Sequence, residues 1–270
     1  MVTRVPRQPV VDALREEWST LDTLVSGLDD DQWAAPSVLA GWTVADILAH
    51  ITGTEWSLTG RDVEALRDVS ALGHVKNPIG ELNERWVDHY RARSRQQLID
   101  DFHEVIETRL TALAGMTERE WDAESFTPAG PDTYGRFMRI RIFDCWVHEI
   151  DIRDSLNLGV PDDVLPATSA RKEMVASLPF VIGKRAGAPA GSTVTVDFTG
   201  VAPRAVHVAV EDRAAVVPAL DGPADTTLTV DLVEYARLIG ARPTADPSKV
   251  AVTGDERLGE KIVASLHYLI

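Results

Sequence analysis

With 270 residues, 44% of them hydrophobic and 26% charged, the chain has the composition of a soluble globular protein, long enough for one large domain or two ordinary ones. Its 27 basic and 42 acidic residues leave a net charge of −15, which argues against nucleic acid and against anionic membrane surfaces as partners. The single cysteine, Cys145, excludes an intrachain disulfide and a thiolate metal cage; no apolar run is long enough to span a bilayer or to form a signal-peptide core, so the reducing cytoplasm is the expected setting.

Val10 to Leu28 reads as the first helix, with Val11, Leu14, Trp18, Leu21, Leu24 and Val25 on one face. Gly41-Trp42-Thr43 introduces a second. Thr43 can cap it, Asp46 completes a capping box, and Ile47, Leu48 and Ile51 surround His50. The pattern carries this helix to about Leu66, weakened by Gly53 and Gly60. Turn residues follow at Gly73, Asn77, Pro78 and Gly80. Glu81 to Ala114 is the longest helical pattern, with Ser94 either breaking it or capping a second half. A loop at residues 127–131 precedes a fourth helix that ends between Leu156 and Gly159. Four amphipathic helices predict a four-helix bundle over residues 1–160, with a boundary marked by Pro161 and Pro166.

In residues 161–270 a helix is expected at about 168–182, and then the period changes. Residues 192–198, 205–210 and 226–230 alternate like half-buried strands. Asp231 caps a short helix through Leu238, Val250 to Val252 is another strand, and Leu258, Ile262, Val263 and Leu266 face inward on a last helix. The predicted fold class is α plus α+β: a helical bundle followed by a small α+β domain.

Chemistry concentrates in the fourth helix. Ile140, Phe143, Val147 and Ile150 form an apolar stripe, and Asp144 and His148 stack on one edge of it, roughly 6 Å apart along the axis. A buried carboxylate and imidazole need a partner or a metal. Together with His50 they make two imidazoles and one carboxylate, the donor set of a reactive zinc-like ion with positions left open. The competing reading makes them satisfied core residues. Asp151, one turn beyond His148, either orients its imidazole or is a solvated carboxylate or a salt-bridge partner. Cys145 lies about 100° around the helix from Asp144 and reads as packing rather than as a nucleophile. Tyr134, Met138 and Arg141 precede the pair and can line a substrate pocket, as can Asn83 and Arg85. His89 and His103 are expected to face solvent, and His74, His207 and His267 carry no spacing signal. Lys184-Arg185 is either an anion site or a solvated turn.

Two segments carry a resemblance. Gly41-Trp42-Thr43-Val44-x-Asp46-x-x-x-His50 and Phe143-Asp144-x-Trp146-Val147-His148-Glu149-x-Asp151-Ile152-Arg153 resemble the signature segments of the mycothiol-dependent maleylpyruvate isomerase family. Its N-terminal domain is a DinB-like metal-binding bundle. In the C-terminal half, Ile239-Gly240-Ala241-Arg242 and Val250-x-Val252-x-Gly254-Asp255 resemble the family's sterol-carrier-like domain. The resemblance implies a divalent metal, zinc first, on His50, Asp144 and His148, and Arg242 as the arginine that reaches the active cleft. It implies mycothiol as thiol cosubstrate and a small-molecule electrophile, in an S-transferase or a cis–trans isomerase. Two departures stand out: Asp144 occupies the isomerase's glutamate position, and Leu39-Ala40 replaces a common Cys-Pro. Two other functions remain open, a lipid-carrier-like binding protein and a metal-dependent hydrolase using a metal-bound water.

Overall fold

Helix α1 (Arg7–Ser26) buries Val11, Leu14, Trp18, Leu21 and Val25, most of the face expected from their spacing. The computed structural model describes residues 2–64 and 66–269. A short helix α2 (Asp30–Ala34) leads to α3 (Val44–Leu58), whose capping box joins Thr43 and Asp46 as the sequence predicts. Helix α3 stops at Leu58 instead of continuing towards Leu66, because Gly60 turns the chain at a φ of +86°. The expected extension ran across Ala65, which lies outside the described residues. Gly53 weakens the isolated helix but is required by its packing. A Cβ there would sit 2.2 Å from Cγ of Trp86.

The long third pattern is two helices, α4 (Pro78–Arg91) and α5 (Arg95–Gly115). Ser94 caps the second of them in a box with Gln97, so the apolar period continues while the chain direction breaks. Helix α6 (Glu118–Trp121) and an antiparallel hairpin of β1 (Glu124–Thr127) and β2 (Gly130–Thr133) follow, neither of them expected. Thr133 then caps the long helix α7 (Tyr134–Ser155). In this helix-rich half α1 packs on α5, and α3 packs on both α4 and α5.

The second half is α+β, as expected. Helix α8 (Val164–Pro179) runs into a π-helical turn (Phe180–Arg185). Strands β3 (Thr193–Thr199), β4 (Arg204–Val210), β5 (Ala214–Val217), β6 (Thr226–Asp231) and β7 (Ala251–Gly254) form one sheet in the order β5-β4-β3-β6-β7. Only β3 and β6 pair in parallel; the other neighbours are antiparallel. Helices α9 (Leu232–Ile239) and α10 (Glu256–Ala264) begin at the caps Asp231 and Asp255. The alternation sends Val194, Val196, Phe198, Val208, Leu228 and Val230 into one core.

Contacts divide the chain into two units, Met1–Met138 with Asp151–Gly159, and Arg139–Ile150 with Val160–Ile270. The middle of α7 is thus counted with the second unit, where Trp146, Val147 and Ile150 join the apolar core. No helix among the described residues is long and apolar enough to cross a membrane.

Candidate functional site

His50 sits two turns into α3, 3% exposed. The Thr54 hydroxyl, one turn on, donates to the His50 carbonyl oxygen at 2.9 Å, and its oxygen lies 3.4 Å from Nδ1. With its own proton committed, that oxygen can accept from Nδ1–H, which is the tautomer that carries no proton on Nε2. The Trp42 ring lies against the imidazole, centroids 5.4 Å apart and tilted by 37°.

Asp144 and His148 project from the middle of α7 at the predicted four-residue spacing. His148 is buried, and its Nε2 is 3.8 Å from Oδ1 of Asp144. The other carboxylate oxygen, Oδ2, accepts from Nη1 of Arg141 at 2.6 Å. Arg141 is itself buried, with Nη2 3.7 Å from the Cys145 sulfur. Its guanidinium therefore fixes the carboxylate rotamer and leaves Oδ1 on the histidine side.

His50, Asp144 and His148 each offer one ligand atom, and these atoms all lie within 4.8 Å of one another. Two ligands each about 2.1 Å from a shared ion stand at most about 4.2 Å apart. The 3.8 Å separation of Asp144 and His148 fits inside that limit, and the widest pair needs only a small adjustment. Two nitrogens and one oxygen from buried or half-buried side chains suit zinc or a similar divalent ion.

The remaining sequence candidates have local roles of their own. Asp151 is fully buried, so it is not a solvated carboxylate. Tyr134 hydrogen-bonds Arg109, and the sulfur of Met138 accepts from the same guanidinium at 3.0 Å. Arg109 is in turn ion-paired to the buried Glu55 at 2.9 Å, so Tyr134 and Met138 belong to that cluster. Arg85 pairs with Glu81 one turn back at 2.5 Å, and Asn83 is half-buried. Arg141, a candidate for substrate contact, is engaged with Asp144. Arg242 follows α9 and donates from Nη1 to the Gly240 carbonyl at 3.0 Å. Lys184 and Arg185 are exposed on the π-helical turn. Cys145 is fully buried. His103 is exposed and pairs with Asp22, but His89 is half-buried and packs edge-on against Trp86 and Tyr90.

Sequence reasoning missed two contributors. Thr54 was within reach, because a hydroxyl four residues after a histidine shares its helix face. Glu84 was not. It hydrogen-bonds Trp42, His74 and Arg91, groups from three separate stretches of chain.

The family model of the mycothiol maleylpyruvate isomerase N-terminal domain matches residues 14–153, and that of the MDMPI C-terminal domain matches residues 168–261. Uncharacterised proteins from two strains of Mycobacterium tuberculosis are 27% identical over 157 residues, 57% of this chain; the match spans 58% of the length of those relatives. The crystal structures of the mycothiol-dependent maleylpyruvate isomerase and of a mutant of it superpose with a TM-score of 0.57 at 15% identity, covering 92% of this chain and 93% of theirs. That likeness establishes the fold. Since the N-terminal family model alone spans just over half of its residues, the chain belongs to the mycothiol maleylpyruvate isomerase family.

Proposed function

We propose that this protein is a cytoplasmic enzyme that holds a divalent metal, zinc first, on His50, Asp144 and His148 and works with mycothiol on a small electrophile. The observation that carries this reading is the convergence of those three ligand atoms within 4.8 Å in a chain of this family. The solved relative is named a mycothiol-dependent maleylpyruvate isomerase, and the thiol is carried over from that name. In this reading residues 1–160 supply the metal-binding bundle and residues 161–270 the α+β domain, from which Arg242 serves the substrate.

A divalent ion with an open position stabilises a thiolate near neutral pH. The side chains prepare for it. With Nδ1–H directed at the Thr54 oxygen, the His50 lone pair sits on Nε2. Arg141 takes one oxygen of Asp144 and keeps the other for the ion. Two neutral imidazoles and one carboxylate leave a divalent centre net positive, as a thiolate requires. Cys145, fully buried beside Arg141, does not compete as a sulfur nucleophile. Asp144 stands where the isomerase carries the longer glutamate, so we place S-transfer slightly ahead of isomerisation of maleylpyruvate. Against a lipid carrier stands the cavity in the α+β core, lined by Leu178, Val196, Leu228, Tyr235 and Ile262 among others. Its volume of about 10 Å³ holds roughly one water.

The test is metal content by elemental analysis of wild type and His148→Ala purified in parallel. The expected result is close to one zinc or similar ion per chain, lost in the variant, followed by saturable mycothiol binding to the metal-loaded wild type. A wild type that takes up neither zinc, nickel nor manganese overturns the reading.

A further inference from the structure

The polar groups around His50 converge on one carboxylate. Glu84 on α4 has no exposed surface, yet it accepts from three donors. Nε1 of Trp42 and Nε2 of His74 share its Oε2 at 2.8 and 2.9 Å, and Nη1 of Arg91 reaches Oε1 at 2.9 Å. Arg91 also grips Asp46 with two bonds, at 3.0 and 2.9 Å, and donates to the Gly41 carbonyl. Asp46 is the capping-box residue of α3, one turn before His50. Gly41 adopts a φ of +83°, and a Cβ on it would lie 2.5 Å from Nδ1 of His74. The absence of a side chain at Gly41 is what lets the His74 ring reach the same oxygen as the indole.

Two routes therefore run from Glu84 to His50. One passes through the Trp42 ring, which lies against the imidazole. The other passes through Arg91 and Asp46 to the first turn of the helix that carries His50. The need for them is physical. The χ2 rotor of histidine is broad, so a helix alone does not aim the ring nitrogen. A flat aromatic wall held by a hydrogen bond does. Only a carboxylate suits the hub, because every group facing it is a donor. An amide would turn its own NH2 towards either Arg91 or the Trp42–His74 pair.

We propose that Glu84 is a positioning residue for His50: it pins the Trp42 indole against the imidazole and, through Arg91 and Asp46, anchors the turn that presents it. The catalytic consequence rests on the metal reading above. The positioning itself is measurable without metal.

The test uses the full-length, metal-free protein labelled in its histidine rings. The Hε1 proton of His50, identified by comparison with His50→Gln, carries the ring-current shift imposed by Trp42. In Glu84→Gln this resonance is expected to move towards its position in an unstructured peptide. Zinc affinity, measured by competition with a chromophoric chelator, is expected to fall about 10- to 100-fold, the usual effect of removing an outer partner of a ligand. Arg67→Met, which removes the 2.8 Å pair with Asp88 on the same helix, should leave both readouts in place. That control separates positioning from general loosening of α4. Should Glu84→Gln fail to fold, Arg91→Lys serves, since it breaks the bridge from Glu84 to Asp46 and leaves in place the Trp42 ring that sets the shift. An unmoved His50 resonance, or an unmoved zinc affinity, in a folded variant overturns the proposal. A wild type that takes no zinc overturns the metal reading instead, and the resonance then decides the positioning alone.

Discussion

In the helical unit Asp46, His50, Glu55, Glu84, Asp88 and Arg109 are buried among Leu14, Trp18, Ile47 and Phe102. From Val160 onward, the polar side chains buried among the described residues are Ser169, Glu173, Thr226 and Glu234. The core there is otherwise built from Val, Leu, Ile and aromatic residues around Phe198 and Tyr235. Both halves bury a set of apolar side chains, so the difference lies in the polar groups buried with them. Taking a charge out of water costs several kcal/mol, and a pair regains that only with good geometry and further hydrogen bonds. A fold selected for stability alone does not accumulate such groups. The chain before Val160 bears that cost, around His50 and again in the middle of α7 at Arg141, His148 and Glu149, and the chain from Val160 onward largely avoids it.

The most severe way to break this contrast is to unbalance the deepest ion pair. Arg109 and Glu55 are 3% and 0% exposed and 2.9 Å apart. Arg109→Met takes the guanidinium away from the buried Glu55 carboxylate and should cost about 3–5 kcal/mol in urea denaturation. Adding Glu55→Leu should recover most of that loss, because the pair and its apolar replacement differ little in net stability. A double variant as unstable as the single one would show that Glu55 is held mainly by other groups.

A cavity in the other core should act differently. Leu228 is 2% exposed on β6, and Leu228→Ala is expected to cost about 2–5 kcal/mol through lost burial and a residual void. Metal content per folded chain should stay at the wild-type value. If Leu228→Ala also lowers the metal stoichiometry of the folded fraction, the two cores are not separable in function and the contrast fails.

What could be read from the residues follows the same division. The β3, β4 and β6 strands were legible because period-two alternation is a local signal, and the buried face follows from it directly. The Thr43 and Asp231 caps were legible because capping, too, is a local signal. Asp144 and His148 could be paired because helical spacing puts them on one edge; His50, nearly a hundred residues away, was added from its own half-apolar helix, and the family motifs then strengthened that reading. The β1–β2 hairpin was not legible: its strands have four residues each, and a Pro-Ala-Gly stretch reads as loop. Edge strand β5 carries Ala-Ala-Val-Val with no alternation. The break between α4 and α5 was left undecided, since Ser94 sits in an apolar period that runs through it. The Glu84 hub was invisible. A glutamate on an amphipathic helix normally faces water, and only the meeting of α4, the Gly41–Trp42 turn and the His74 loop reverses that.

His89 offers the smallest effect and the finest test of the contrast. It is half-buried on α4, edge-on to Trp86 at 5.6 Å and to Tyr90 at 5.2 Å. Burial first, then the charges of Arg93 and Arg61, push its pKa below the ordinary value, against a weaker opposing pull from Asp101. The fold thus favours the neutral ring, while the unfolded chain takes up a proton at about pH 6.5. Stability from this group is complete above that pH. It declines as pH falls through 6.5, and the decline ends once pH passes the lower folded-state pKa. His89→Gln removes the titration but keeps a polar side chain of similar reach. Between pH 7.5 and pH 5 the unfolding free energy of wild type should therefore fall more steeply than that of the variant. Every other group is common to both proteins and cancels in the difference. Parallel curves would mean that the ring is solvated in solution, and the buried carboxylates of α4, Glu84 and Asp88, would then carry the contrast without it.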